Sequence, residues 1–272
     1  MMMKRWIMVI SDKGGTGKSI FSRALADRLR REQANALLVD GDGTVGQLLQ
    51  FYGERDDAGR LREQTPEHGV MPFLMTGRVK DRDALVNMLD YGKTVVLCDL
   101  PAGSITFIRQ LEHDVGLFDL VAQHGYRLTL VNVISPYRAS TRTVSQMIEL
   151  GGDRADYVVV ENAWFGDQED YILWYGGDGV PISKGKVMLE QRQGIALRMP
   201  RLEGRTGALI DVYNLAYSVA AEDKRLTVAD RSRVHRWWKA MDRELDSAGE
   251  VLGITPDRQS QSHPETPRRV AG

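Results

Sequence analysis

Residues 7–21, IMVISDKGGTGKSIF, constrain the fold of this chain more than any other stretch. An apolar run at residues 7–10 leads into a glycine-rich turn, and the residues after the turn have helical spacing. A glycine-rich turn between a buried strand and a helix is the context in which backbone N–H groups converge on an anion. The sequence therefore predicts a phosphate-binding loop at residues 13–19.

Each residue type in this loop, Lys13-Gly14-Gly15-Thr16-Gly17-Lys18-Ser19, suits that chemistry. The three glycines allow a sharp turn and a close approach of the backbone to a ligand. Lys18 is expected to reach the β- and γ-phosphates of a nucleotide, and the Ser19 hydroxyl is expected to bind Mg²⁺. The strict pattern G-x-x-x-x-G-K-[ST] is not met, because Asp12 stands at the first glycine position. A glycine-rich linker is the alternative, and the flanking strand and helix disfavour it.

Length and composition limit the class of protein. With 272 residues, 42% of them hydrophobic, the chain has room for one large α/β domain with appended helices. We expect a single domain over residues 1–254 and a disordered polar tail over residues 255–272. The net charge of −1 gives no general attraction to nucleic acid or to anionic membranes, so such a partner would need a local basic patch.

Cys98 is the only cysteine, which excludes disulfide frameworks, thiolate zinc sites and cysteine-ligated iron–sulfur clusters within one chain. We expect it to be a small buried residue, and a reducing cytoplasm is the compartment that fits. The apolar run near the N-terminus is too short for a signal peptide. No stretch approaches the roughly 20 apolar residues of a membrane span.

Strand-like and helix-like patterns alternate along almost the whole chain. Strands are predicted at residues 7–10, 36–39, 70–75, 94–100, 128–134, 157–160 and 195–199. Helices are predicted directly after the loop and at residues 81–89, 104–118, 139–150, about 168–174, 206–221 and 228–252. This alternation predicts an α/β fold, with a mostly parallel sheet covered by helices on both faces and extra C-terminal helices.

The first of these helices is amphipathic. One face carries Ile20, Phe21, Ala24, Leu25 and Leu29, and the other carries Arg23, Asp27, Arg28 and Arg30. We expect the first face to pack on the sheet.

Polar side chains follow several predicted strands at the point where each strand ends. Asp40 and Asp42 end the second strand, Asp99 ends the fourth, and Asn162 follows the sixth. Ligands bind beyond the carboxyl ends of the strands in such sheets, so we expect these side chains to converge on the loop. Asp40 and Asp99 could hold Mg²⁺ through water, Asp42 could position an attacking water, and Asn162 could hydrogen-bond a purine edge. The alternative for each is an ordinary solvated turn or loop residue.

The last predicted helix carries two adjacent tryptophans among basic residues. The tryptophans are Trp237 and Trp238, and the basic residues are Arg231, Arg233, Arg236 and Lys239. One interpretation is a local patch for DNA or a membrane surface. The other is a packing stripe of Val234, Trp238, Met241 and Leu245 beside a solvated basic face.

Several segments together resemble the ParA/MinD superfamily of P-loop ATPases. The loop at residues 13–19 resembles the deviant Walker A motif of that superfamily. LLVDGDG resembles its switch I segment, and VVLCDLPAG its Walker B and switch II segment. Residues 157–162 resemble the strand with the purine-binding asparagine, and IALRMPRL the late strand with its proline, Pro200. The resemblance covers roughly residues 4–222 and implies a P-loop NTPase fold of the SIMIBI type.

This resemblance also implies roles for individual residues. Lys13 would be the signature lysine, which reaches the nucleotide of the partner subunit in a dimer. Lys18 and Ser19 would bind phosphate and Mg²⁺, Asp40 and Asp99 would hold the metal through water, and Asp42 would be the hydrolytic aspartate. The remaining nucleotide contacts would come from Gly14, Gly15, Thr16, Gly17, Ile20, Asn162 and Pro200. The cofactors would be ATP and Mg²⁺, and the family commonly forms ATP-dependent homodimers.

The expected function is a slow, partner-stimulated ATPase switch of a bacterial cytoplasm, which positions or recruits a protein partner. DKGG and LLVDGDGTVGQLLQF are similar to the conjugative-transfer (TraL-like) branch, whereas the Pro-Gln-Gly of partition members is missing after Asp42. One alternative is a metabolic ligase of the dethiobiotin synthetase and cobyrinic acid amidase class, with a small-substrate pocket around residues 164–179. Another is an ATP-binding interaction module with little hydrolysis.

Overall fold

The computed structural model of the protein describes residues 3–43, 46–76 and 78–255. Within these ranges a single sheet contains β1 (Lys4–Ser11), β2 (Ala36–Asp40), β3 (Val70–Pro72), β4 (Val95–Ala102), β5 (Tyr126–Ile134), β6 (Ala155–Asn162) and β7 (Ile195–Met199). The strand order is β3-β2-β4-β1-β5-β6-β7, and each neighbouring pair is parallel. The predicted fold class and all of the predicted strands are confirmed.

Helices cover both faces of the sheet. They are α1 (Lys18–Arg31), α2 (Gln47–Tyr52), α3 (Val79–Asn87), α4 (Ser104–Val115), α5 (Leu117–Gln123), α6 (Arg138–Gly151), α7 (Ile172–Tyr175), α8 (Lys184–Gln191), α9 (Gly204–Val212), α10 (Tyr217–Ala220) and α11 (Val228–Ala248). Short 3-10 helices follow α3, β6 and α11. Among the described residues, no helix combines the length and the apolarity needed to cross a bilayer.

The core is divided into two apolar layers by the sheet. Side chains alternate along β1, so Ile7 and Val9 face the layer of α1, α2 and α9–α11. Trp6, Met8 and Ile10 face the layer of α3–α8. Cys98 belongs to this second layer and is fully buried, as predicted, and burial raises the pKa of its thiol. The loop after β1 therefore opens at the middle of the sheet, where β1 lies between β4 and β5.

Two predicted helices are each divided in the structure. The helix expected at residues 104–118 ends at Gly116, which has a left-handed backbone with φ of 64°, and α5 begins beyond it. The helix expected at residues 206–221 is interrupted near Asn214, which has φ of 50°. The short helices α2 and α8 were not predicted. The segment expected to be helical at about 168–174 is a 3-10 turn, Gln168–Asp170, followed by α7.

The prediction of a packing stripe on the last helix holds with one change. Val234, Trp237, Met241 and Leu245 are buried, whereas Trp238 is only partly buried. The Trp237 indole N–H donates to the carbonyl of Pro200 at 2.7 Å, which ties α11 to the end of β7. Trp237 is therefore the more deeply buried of the two, and Trp238 packs against the edge of the same core. The predicted disordered tail lies outside the described residues beyond Thr255.

The polar face of α1 is buried, contrary to the usual behaviour of such a face. Arg23, Asp27 and Arg28 are each less than a tenth exposed, because the C-terminal helices pack over them. Asp27 accepts hydrogen bonds from the backbone and hydroxyl of Ser218. Arg28 pairs with Glu32 on α1 and with Asp242 and Asp246 on α11. These polar contacts fix the C-terminal helices against the helix that begins at the loop.

Candidate functional site

The loop between β1 and α1 has the backbone that its glycines predict. Gly15 and Gly17 have φ of 75° and 101°, values that favour glycine. A Cβ at Gly17 would also collide with the side-chain amide of Asn162. Asp12, which replaces the first glycine of the strict motif, accepts the Ile105 N–H at 3.2 Å and so fixes the loop to the start of α4. The sequence motif does not reveal this contact.

The two lysines of the loop differ in their environment. Lys18 is 8% exposed, and its ammonium donates to the carbonyl of Lys13 at 3.3 Å. Burial lowers the pKa of Lys18, against the opposing effect of Asp99, Asp42 and Asp12. Lys13 is exposed, and only its backbone takes part in the loop. Lys18 therefore faces the interior of the site, and Lys13 lies on the surface.

Asp99, at the end of β4, lies beside the start of α1. Its carboxylate accepts a hydrogen bond from the Ser22 hydroxyl at 2.9 Å. Burial raises the pKa of Asp99 to about 7, although interaction with the Ser19 side chain opposes the shift. Thr16 Oγ1 is buried nearby in the loop without a partner among the residues described. The structure thus brings the predicted metal ligands Ser19 and Asp99 into contact.

Asp40 is placed next to Asp99 but is already engaged by the backbone. The two aspartates are paired in register across β2 and β4. The Asp40 carboxylate accepts the Asp42 N–H at 3.1 Å and the Leu49 N–H at 2.9 Å, so it contacts both the residues directly after β2 and the first turn of α2. Burial raises its pKa. Asp42 itself is exposed on this turn.

These groups suit a hard cation that is shared with a ligand. In the described part of the chain, no group of three or more His, Cys, Asp and Glu side chains is placed to hold a metal ion by itself. Mg²⁺ is usually held by one or two carboxylates together with waters and substrate phosphates. A hydroxyl from Ser19 and carboxylates from Asp99 and Asp40 next to a phosphate-binding loop fit that pattern.

Asn162 braces the loop. Its amide nitrogen donates to the carbonyl of Thr16 at 2.9 Å, and its oxygen accepts the N–H of Trp164 at 3.0 Å. The side chain therefore links the loop to the 3-10 helix Ala163–Phe165. One amide N–H remains for a ligand, and the role of Asn162 at a purine edge stays a prediction.

A cavity of about 580 Å³ opens beside the loop. Five of the predicted nucleotide-binding residues line it, namely Gly15, Gly17, Ile20, Asn162 and Pro200. The cavity is also lined by Arg23, Gln47, Tyr217 and Trp237, none of which belongs to a recognisable motif. Arg23 was assigned to the polar face of the first helix, and only the packing of distant helices reveals that it lines the cavity.

The fold and this loop define the class of the protein: an α/β protein with a P-loop NTPase-like fold and a deviant phosphate-binding loop. No family model matches the sequence. The chain is similar to Protein MobD of Acidithiobacillus ferrooxidans, with 22% identity over 244 residues, which cover 87% of this chain and 94% of that protein.

Three solved structures to which the chain is similar are described by their names. The septum site-determining protein MinD with Mg-ADP from Pyrococcus horikoshii OT3 is 16% identical, with a TM-score of 0.49 over 93% of this chain and 100% of that chain. A putative plasmid partition protein from Borrelia burgdorferi B31 bound to AMPPNP is 10% identical, with a TM-score of 0.48 over 87% and 98%. The MinC:MinD cell division complex of Aquifex aeolicus is 17% identical, with a TM-score of 0.47 over 85% and 95%.

Proposed function

We propose that this chain is a Mg²⁺-dependent ATPase switch of ParA/MinD type, which dimerises on binding ATP and hydrolyses it slowly. One observation carries the proposal: the loop and the interacting side chains of Ser19 and Asp99 meet at the carboxyl edge of the sheet, beside a cavity that can receive a nucleoside. An N–H cradle for phosphates and oxygen ligands for a hard cation are thus adjacent.

Each residue of the site has a separate role in the proposed phosphoryl transfer. The backbone of the loop binds the phosphates. The Lys18 ammonium, which donates to the Lys13 carbonyl in this structure, donates to a phosphate oxygen instead. Ser19 would bind Mg²⁺ through its hydroxyl, and Asp99 and Asp40 would hold the metal through water. The bound metal would neutralise charge on the β- and γ-phosphates. Asp42, exposed on the turn after β2, orients the attacking water.

The biological setting that we propose is transfer of mobile DNA, where the switch positions or recruits a protein partner. The DKGG and LLVDGDGTVGQLLQF segments support this setting, and the similarity to MobD extends over most of both chains. Stimulation of hydrolysis by DNA or by a partner protein, with none by small carboxylates, is the result that separates a switch from a metabolic ligase.

Replacing Asp42 by alanine should lower the rate of ATP hydrolysis by about 100-fold, because the attacking water loses its positioning group. ATP affinity should stay within about threefold, which corresponds to under 1 kcal/mol, since Asp42 is exposed and does not line the cavity. Steady-state phosphate release and calorimetric titration measure the two quantities. Asp90→Ala, at an exposed carboxylate after α3, is the matched control. Unchanged turnover in Asp42→Ala would show that Asp42 is not the hydrolytic residue.

Replacing Lys13 by alanine should abolish the ATP-dependent dimer while ATP still binds to the monomer. The Lys13 side chain is exposed and makes no contact that holds the loop together, so its loss leaves the phosphate cradle intact. Sedimentation velocity with ATP, in an Asp42→Ala background that slows turnover, measures the dimer. Lys80→Ala on the exposed side of α3 serves as the control. A dimer that persists in Lys13→Ala would exclude the cross-dimer role.

A further inference from the structure

One of the residues that line the cavity is a buried cation with unused hydrogen-bond donors. Arg23 is 5% exposed, and its Nε and Nη2 groups have no acceptor among the described residues. The nearest carboxylate oxygen, on Asp211, is 4.0 Å from Nη1. Because a desolvated guanidinium with unpaired N–H groups is unfavourable, an acceptor from a ligand would complete this site.

Two aromatic rings hold the Arg23 guanidinium in place. Its central carbon lies 3.3 Å from the ring centroid of Phe51 and 4.9 Å from that of Tyr217. Stacking of this kind fixes the plane of the guanidinium, so the fork of Nε and Nη2 is oriented before any ligand arrives. The donors are therefore preorganised on the cavity wall.

An unused acceptor also lines the cavity. Gln47 begins α2, and its side-chain oxygen is buried with no donor in the ranges that the structure describes. Both Gln47 and Arg23 line the cavity that also contains Gly15 and Gly17. The cavity lining thus offers a ligand the two donors of the Arg23 guanidinium and the single acceptor of Gln47.

The order of residues along α1 indicates which part of a bound nucleotide would contact Arg23 and Gln47. Ile20 lines the cavity next to the loop, and Arg23 follows three residues later, on the same face of the helix. In a nucleotide the ribose is bonded to the phosphates and the base to the ribose. With the phosphates on the loop, the ribose would therefore lie nearer to the loop than the base does. A cis-diol has oxygens that accept from a guanidinium fork and a hydroxyl proton that can be donated to an amide oxygen.

We propose that Arg23 and Gln47 bind the 2′- and 3′-hydroxyls of the nucleotide, so that the site selects ribonucleotides over deoxyribonucleotides. This inference rests on the proposed function, because it requires a nucleotide with its phosphates on the loop. It assigns to Arg23 and Gln47 a selectivity that no sequence motif contains, and it leaves Asn162 to brace the loop.

The test is calorimetric titration of the full chain with ATP, 2′-deoxyATP, 3′-deoxyATP and GTP. The wild-type protein should bind ATP about 10- to 100-fold more tightly than either deoxy analogue, the range expected for hydrogen bonds to a charged group. Arg23→Met should reduce that ratio to about twofold, mainly by weakening ATP. Gln47→Leu should reduce it in part. Arg142→Met, at an exposed position of α6, should leave the ratio unchanged.

The outcomes separate this inference from the proposed function. If ATP binds in a Lys18-dependent manner and the deoxy analogues bind equally well, the ribose assignment is wrong and the nucleotide site stands. If Arg23→Met changes the ratio of ATP to GTP but not that of ATP to its deoxy analogues, Arg23 contacts the base and the assignment is also wrong. If no nucleotide binds, both fail. If Arg23→Met does not fold, equal binding of ATP and its deoxy analogues by the wild-type protein, or an unchanged ratio in Gln47→Leu, still overturns the inference.

Discussion

Replacing Lys18 by methionine is expected to weaken ATP binding by at least about 100-fold, because the phosphates lose a buried charged partner worth several kcal/mol. The thermal stability of the nucleotide-free protein should not fall. Burial lowers the pKa of Lys18, so the folded protein holds this ammonium at a cost, and an uncharged side chain of similar length removes that cost. Calorimetric titration and a melting curve without nucleotide measure the two effects.

The combination of lost binding and retained stability is what distinguishes a ligand-binding lysine from a structural one. Lys224→Met, near the start of α11, is the control and should alter neither quantity. If Lys18→Met binds ATP like the wild type, the loop is not a nucleotide cradle and the proposed function is wrong.

Replacing Arg28 by methionine should destabilise the protein by about 3–5 kcal/mol, the usual effect of removing one partner from a buried ion cluster. The Arg28 side chain is 8% exposed and lies among Glu32, Asp242 and Asp246, which would lose the cation that they share, although Arg31 remains paired with Asp242. The melting temperature should fall by about 10 °C in a domain of this size. Urea unfolding followed by circular dichroism gives the free energy.

Arg60→Met is the comparison for Arg28. Arg60 is 80% exposed and pairs only with Asp56 four residues earlier in the described chain, so its loss should cost under about 1 kcal/mol. Equal stability of Arg28→Met and Arg60→Met would mean that the charged cluster does not hold α11 against α1.

The sheet could be predicted from the sequence because its signals are local. Buried parallel strands appear as short apolar runs, and each such run in this chain became a strand of the sheet. The helices α2 and α8 were missed because they contain six and eight residues, too few to establish a period. The break at Gly116 was missed because apolar residues continue at helical spacing on both sides of it.

The candidate site was predictable only where a motif marked it. Ser19 and Asp99 were placed together because they follow strands that end at one edge of the sheet. Arg23 was assigned to a polar face, since a sequence pattern cannot show that helices some 190 residues later will cover that face. For Asn162, the residue type suggested contact with a purine edge. Only the structure reveals the hydrogen bond from its amide nitrogen to the Thr16 carbonyl.

The division of the core into two layers has a consequence for how such proteins diverge. The cavity is lined by the loop, the edge of the sheet and the helices of the first layer, whereas α5, α6 and α8 pack on the opposite face. Substitutions on the outer surfaces of these three helices are separated from the nucleotide by the full thickness of the sheet. We therefore expect substitutions on that surface to leave nucleotide binding at the proposed site unchanged.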